Sequence, residues 1–184
     1  MNIIYTSKNN KMKQILDSGE AIFRDTDLAV IWGISNKNTL YTTIKRYAQH
    51  RLLNRVRQGV YTINISDTLN PDIVGAKILH EYCYISAETV LERAGILKQK
   101  IKNITFVSGS SKKFSVGANS FSSRQMKTNF LYNSVGIYEK DGVNYACVER
   151  AVADLLYFNP KYYFDASLKI DWDRVKEIKK IIGY

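Results

Sequence analysis

The chain has 184 residues, 27 Lys and Arg against 17 Asp and Glu, a formal charge of +10, and a composition that is 45% hydrophobic and 12% aromatic. That is apolar enough to pack a core and excludes a disordered or low-complexity chain, while the length allows one medium domain or two small ones. No apolar run approaches the roughly 18 residues of a membrane span, and the opening MNIIYTSKNNKMK lacks the apolar centre of about 7–15 residues that a secretory signal needs. A cytoplasmic protein with no membrane partner is therefore expected, and Cys83 and Cys147, far apart and outside any CxxC pattern, read as two buried thiols in a reducing compartment.

The segment Asn9 to Asp17 places Met12, Ile15 and Leu16 at helical spacing, and Gly19 ends it. Ile22 and Phe23 read as a short extended stretch. Asp25 or Thr26 caps a short helix through Ile31 or Trp32, with Leu28, Ala29 and Trp32 on one face. Gly33 supplies the left-handed residue of a tight helix–helix turn, and Ile34 plugs the corner.

Asn36 to His50 is the next predicted helix, capped by Ser35 or Asn36, with Leu40, Ile44, Tyr47 and Ala48 in one buried stripe. Its other face carries Lys37, Asn38, Thr39, Tyr41, Thr42, Lys45, Arg46 and Gln49, side chains that donate to base edges and phosphates. Residues 52–57 form a strand, Gln58-Gly59 a turn and residues 60–63 the return strand. Strict alternation around Val56 turns Arg55 and Arg57 to one side, away from the core. A polar helix after a glycine turn, followed at once by a basic hairpin, is the order of a winged helix-turn-helix. Residues 1–68 are expected to bind double-stranded DNA through Lys37, Asn38, Thr39, Tyr41, Thr42, Lys45, Arg46, Arg55, Arg57 and Gln58.

Asn70-Pro71 opens a second domain, residues 69–184. A helix runs from Asp72 toward Cys83, and Tyr84-Ile85 leads to Ser86 as N-cap of a helix with Val90, Leu91 and Ala94 inward and Gly95 at its end. Strands are predicted at 104–107, 113–116 and 130–132, with a hairpin of 135–139 and 143–148 about Lys140-Asp141-Gly142. Helices follow over Glu149 to Phe158 and, capped by Asp171, through Val175, Ile178 and Ile182. The whole is α+β: a winged helix-turn-helix, then an α+β domain with a mostly antiparallel sheet and flanking helices.

Two stretches carry no carboxylate: Leu28 to Ser66, with six Lys or Arg, and Arg93 to Tyr138, with eight. The second gives a possible further basic surface of Lys98, Lys100, Lys102, Lys112, Lys113, Arg124 and Lys127. It fits an extension of a DNA footprint or an acidic protein partner.

Catalytic signatures are lacking. There is no glycine-rich phosphate loop, GxSxG or HExxH, and His50 and His80 stand alone. Glu177-Ile178-Lys179 reads as the solvated face of an amphipathic helix, and Arg150 and Asp154 as an i,i+4 pair. No enzyme, cofactor or metal is expected.

The run from Asp27 to Ile63, followed in order by YISAETVLERAGIL, ITFVS and VERAVADLLY, resembles the AbiEi-type antitoxins over residues 22 to 158. The resemblance implies a DNA-binding autorepressor that acts on inverted repeats in the promoter of its own two-gene operon. It further implies a second domain that counters a nucleotidyltransferase-like toxin in a type IV toxin–antitoxin system, with or without direct contact. The residues it would carry over are Thr39, Thr42, Lys45, Arg46, Arg55, Arg57 and Tyr61, the last as a packing residue. It assigns no neutralising residues, and residues 161–184 match nothing in that family. A monomer in solution, with two copies on the inverted repeat, is expected. The alternative is a transcription factor without antitoxin role, whose second domain senses a ligand or mediates protein interaction.

Overall fold

The computed structural model describes residues 11–63 and 69–184, and the chain divides into two units, residues 1–70 and 71–184. The expected helix start at Asn9 and the expected domain boundary after residue 68 lie outside the described residues. Among those residues no helix is long and apolar enough to cross a membrane.

In unit 1, helix α1 (residues 11–17) is followed by β1 (Ile22–Arg24), α2 (Asp25–Trp32), α3 (Lys37–Gln49), β2 (Asn54–Arg57) and β3 (Val60–Thr62). The strands form one antiparallel sheet in the order β1-β3-β2, with Phe23 opposite Tyr61 and Arg24 opposite Val60. The core gathers Ile15, Phe23, Leu28, Trp32, Leu40, Ile44, Tyr47, Leu53 and Tyr61, drawn from α1, β1, α2, α3, β3 and the residue that precedes β2. Of the residues at helical spacing in α1, Ile15 is fully buried, while Leu16, turned about 100° from it around the helix, is 56% exposed. Trp32 anchors α1, its indole Nε1 donating to the Lys11 carbonyl at 3.1 Å.

The cap of α2 is one residue earlier than expected. β1 runs directly into the helix, so Arg24 is the N-cap and its N–H donates to the Asp27 carboxylate at 2.9 Å, an acid in the third helical position closing back on the cap. Gly33 ends α2 at φ 63°, ψ 35°, a conformation that costs a side-chain-bearing residue about 1 kcal/mol or more. Asn36 then caps α3, its Oδ1 accepting from Thr39 N at 3.1 Å.

Unit 2 contains α4 (Pro71–Leu79), β4 (Cys83–Ile85), α5 (Ala87–Arg93), β5 (Asn103–Ser108), β6 (Lys112–Val116), β7 (Asn119–Gln125), α6 (Thr128–Leu131), β8 (Ile137–Lys140), β9 (Val143–Ala146), α7 (Val148–Phe158), a 3₁₀ turn (Ser167–Lys169) and α8 (Trp172–Ile182). The architecture is α+β. The six-stranded sheet has the order β6-β7-β5-β4-β9-β8, with β5/β7 and β4/β9 parallel and the other three pairs antiparallel.

Several expectations are corrected here. Residues 130–132 are not a strand: Phe130 and Leu131 lie in α6 and Tyr132 is its C-cap. The strand missed instead is β7, which pairs with β5 over its last six residues and with β6 over its first five. α4 stops at Leu79, with His80 at φ 60°, and Cys83 belongs to β4. Ala94 is exposed, and the chain reverses at Gly95 to bury Ile96 and Leu97. Ser86 occupies the N-cap of α5 but its side chain does not cap. Its hydroxyl donates to Asp154 Oδ2 at 2.7 Å, and the following Ala87 sits at φ 53°. Asp171 caps α8 as expected, accepting from Arg174 N at 3.0 Å.

Candidate nucleic-acid interface

α3 separates its residues cleanly. Leu40, Ile44 and Tyr47 are buried, joined by Thr43, whose hydroxyl bonds back to the Thr39 carbonyl at 2.8 Å. Lys37, Asn38, Thr39, Tyr41, Thr42, Lys45, Arg46 and Gln49 are all exposed. With 3.6 residues per turn, these form one continuous face of donors about 15–20 Å long. Tyr41 is 49% exposed, a ring with a polar tip on that face.

The β2–β3 hairpin stands directly after α3. Arg55, Arg57 and Gln58 are exposed and Val56 is half-buried. A bulge between Arg55 and Arg57 breaks the regular alternation: Arg55 lies opposite Tyr61 and Arg57 opposite Val60. Those partners are adjacent on β3, so the alternation that was to turn both arginines to one side does not hold across the bulge. Gly59 makes the turn at φ 75°.

Asp25 joins the two elements. Its backbone N–H donates to the Gly59 carbonyl at 3.0 Å, and its carboxylate accepts from the Tyr41 hydroxyl at 3.4 Å. The stretch from Leu28 to Ser66 is free of acids in sequence, but in space one carboxylate from just outside it stands among Tyr41, Tyr61 and Arg55. Burial pushes the Tyr61 phenol above its ordinary value. Lys11 was not among the expected residues, yet it lies close enough to Arg46 to feel it. Burial, and then the Arg46 charge, pull its ammonium down. Its place on α1 carried no signal in the α3 pattern.

The two basic stretches differ in how their charge is met. Among the described residues, Lys37, Lys45, Arg46, Arg51 and Arg55 form no ion pair. In the second stretch Arg93 grips Asp72 at 2.7 and 2.8 Å, Lys112 meets Glu81 at 3.0 Å, and Arg124 pairs with Glu88. Lys98, Lys100 and Lys102 are exposed on the connection between α5 and β5. Lys127 is exposed ahead of α6, over the Phe130 ring. Lys113 and Arg124 come together on one groove in unit 2, whose edge Lys112 also lines while its ammonium turns to Glu81; the seven do not form a single surface cluster there.

Glu149, Arg150 and Asp154 do not make a reactive site. Arg150 and Asp154 are both fully buried, and the partners of Arg150 are Asp154, Tyr84 and the carbonyls of Phe130, Asn133 and Val135. Glu177 is exposed and paired with Arg174 at 2.6 Å on α8.

No protein-family model matches the chain, and no curated protein matches it. Among solved structures, the crystal structure of RV2827C protein from Mycobacterium tuberculosis is similar, with a TM-score of 0.55 at 9% sequence identity over 95% of this chain and 71% of that one. At that identity the likeness concerns the fold alone.

Proposed function

We propose that unit 1 is a winged helix-turn-helix and that the protein binds duplex DNA with α3 in the major groove and the β2–β3 hairpin as the wing. The reading is carried by one observation: every outward side chain on α3 from Lys37 to Arg46 is a hydrogen-bond donor or a cation, and none is an acid. Asn38, Thr39 and Thr42 have the chemistry for base edges, and Lys37, Lys45, Arg46, Arg55 and Arg57 for phosphates. The resemblance to AbiEi-type antitoxins extends this to a cytoplasmic autorepressor acting on an inverted repeat, with a non-catalytic second unit that counters a nucleotidyltransferase toxin. The second reading, a transcription factor alone, shares the DNA surface and lacks the neutralising role.

Titration of labelled upstream DNA at several salt concentrations tests the first part. Five or six neutralised phosphates give a log–log salt slope near about −5. Affinity that ignores salt, or no preference over unrelated duplex, sinks the proposal. Co-expression with a downstream nucleotidyltransferase separates the two readings: rescue of growth supports the antitoxin, and failure leaves the transcription factor.

A further inference from the structure

The strand register of unit 2 sorts its side chains onto two faces. Ile104, Phe106, Phe114 and Phe121 share one, where Phe114 stacks on Phe121 and Gly75 of α4 packs against Phe106 and Phe121. Thr105, Ser122, Arg124 and Lys113 fall on the other, where a groove of about 720 Å³ opens beside α5. That volume is in the range of small-molecule sites.

Two hydroxyls of this groove are engaged by the protein as acceptors. Ser122 Oγ accepts from Asn103 Nδ2 at 2.5 Å, and Ser111 Oγ accepts from Gln125 N at 3.1 Å. Each hydroxyl oxygen is thus engaged by the protein, and its own proton has no acceptor among the described residues. The Thr105 hydroxyl likewise donates to none. Arg124 is held on two sides, by Glu88 through one terminal nitrogen and by the Phe158 ring at 5.4 Å, which fixes the plane of its remaining N–H groups. Lys113 is exposed and forms no ion pair among the described residues. On the groove face stand the side chains of two cations, Lys113 and Arg124, against the carboxylate of Glu88; the Lys112 ammonium is taken up by Glu81 and the Leu79 carbonyl. Hydroxyls with protons to give, beside the Lys113 ammonium and the remaining N–H groups of Arg124, suit a ligand with several acceptor oxygens.

We propose that this groove binds a phosphate-bearing ligand, with Lys113, Arg124 and the hydroxyls of Thr105, Ser111 and Ser122 as the donors. The phosphate could come from a free phosphorylated compound or from a nucleic-acid backbone; the site does not rest on the α3 surface. Calorimetric titration of the full chain with inorganic pyrophosphate at low salt tests it. Saturable binding is expected, weakened about tenfold by Lys113→Ala, the scale of one charge-assisted hydrogen bond. Thr105→Val, which keeps a β-branched side chain in β5, is expected to weaken it severalfold. Lys45→Ala with Arg46→Ala on α3 leaves it unchanged, so failure of the groove and failure of the DNA reading are distinguishable. In a parallel DNA titration, Lys113→Ala lowers the salt slope by about 0.9 if the phosphate belongs to a backbone, and leaves it alone if the ligand is free. No saturable pyrophosphate binding together with an unchanged DNA slope overturns the proposal, as does binding indifferent to both Lys113→Ala and Thr105→Val.

Discussion

Arg150 has five N–H donors and meets five acceptors: Asp154 Oδ1 at 2.8 Å, the Tyr84 hydroxyl at 2.8 Å, and the carbonyls of Val135, Asn133 and Phe130 at 2.9, 3.0 and 3.3 Å. Asp154 in turn accepts from Ser86 and Tyr184, so the buried pair is saturated on both sides. Removing one partner leaves a buried charge, which costs about 3–5 kcal/mol. Arg150→Met is therefore expected to destabilise unit 2 by that amount in urea denaturation, and Arg150→Met with Asp154→Leu to recover much of it. Tyr84 and Tyr184 face the same network, and burial, then the Asp154 charge, raise both phenols above their ordinary range. In the unfolded chain they ionise near pH 10. Because the folded values lie higher, their contribution is complete below about pH 10 and is lost as pH rises above it, where the unfolded state holds fewer protons. Tyr184→Phe is expected to lower stability at neutral pH and to flatten that alkaline decline by one proton, read by denaturation at successive pH values. An unchanged alkaline slope would falsify the assignment.

At the scale of elements, the junction of α2, α3 and the hairpin holds one carboxylate amid cations. Asp25 sits in the first turn of α2, where the helix dipole favours an anion by about 0.3–1 kcal/mol. On a DNA-facing surface the same charge repels phosphate. Asp25→Asn is expected to cost a few tenths of a kcal/mol of stability and to tighten DNA binding about two- to fivefold at low salt, an effect that fades as salt screens it. Weaker binding at all salts would instead make Asp25 a positioning residue for Tyr41 and the turn. α4 offers a packing test: a Cβ at Gly75 would lie 2.6 Å from the Phe106 ring and 2.8 Å from Phe121. Gly75→Ala is expected to destabilise by about 1–3 kcal/mol, measured by thermal unfolding. These elements were not equally legible in sequence. α3 repeats its apolar residues at helical spacing and ends against glycine and hairpin signals, so its faces could be assigned from the pattern. β7 reads NSFSSRQ, with Phe121 as its one apolar residue; its burial comes from strands on both sides, which no local pattern records. The side chain of Ser86 is likewise drawn from capping by a partner distant in sequence, Asp154.

For the whole molecule, the charge that matters is the charge left after folding. By sequence, the eight cations from Arg93 to Tyr138 outnumber the six from Leu28 to Ser66. Folding brings Asp72, Glu81 and Glu88 against Arg93, Lys112 and Arg124, and among the described residues brings no ion-pair partner to Lys45 or Arg46. A cation already neutralised within the protein must give up its carboxylate before it can displace a counterion from DNA, so it adds little to the salt dependence. Substitutions then separate the two stretches by slope. Lys45→Gln with Arg46→Gln is expected to reduce the log–log salt slope by nearly two, about 0.9 for each lost phosphate contact, while Lys112→Gln leaves it unchanged. Equal reductions from both would mean that the Lys112–Glu81 pair opens on DNA, and that positive charge in unit 2 acts in binding as strongly as the face of α3.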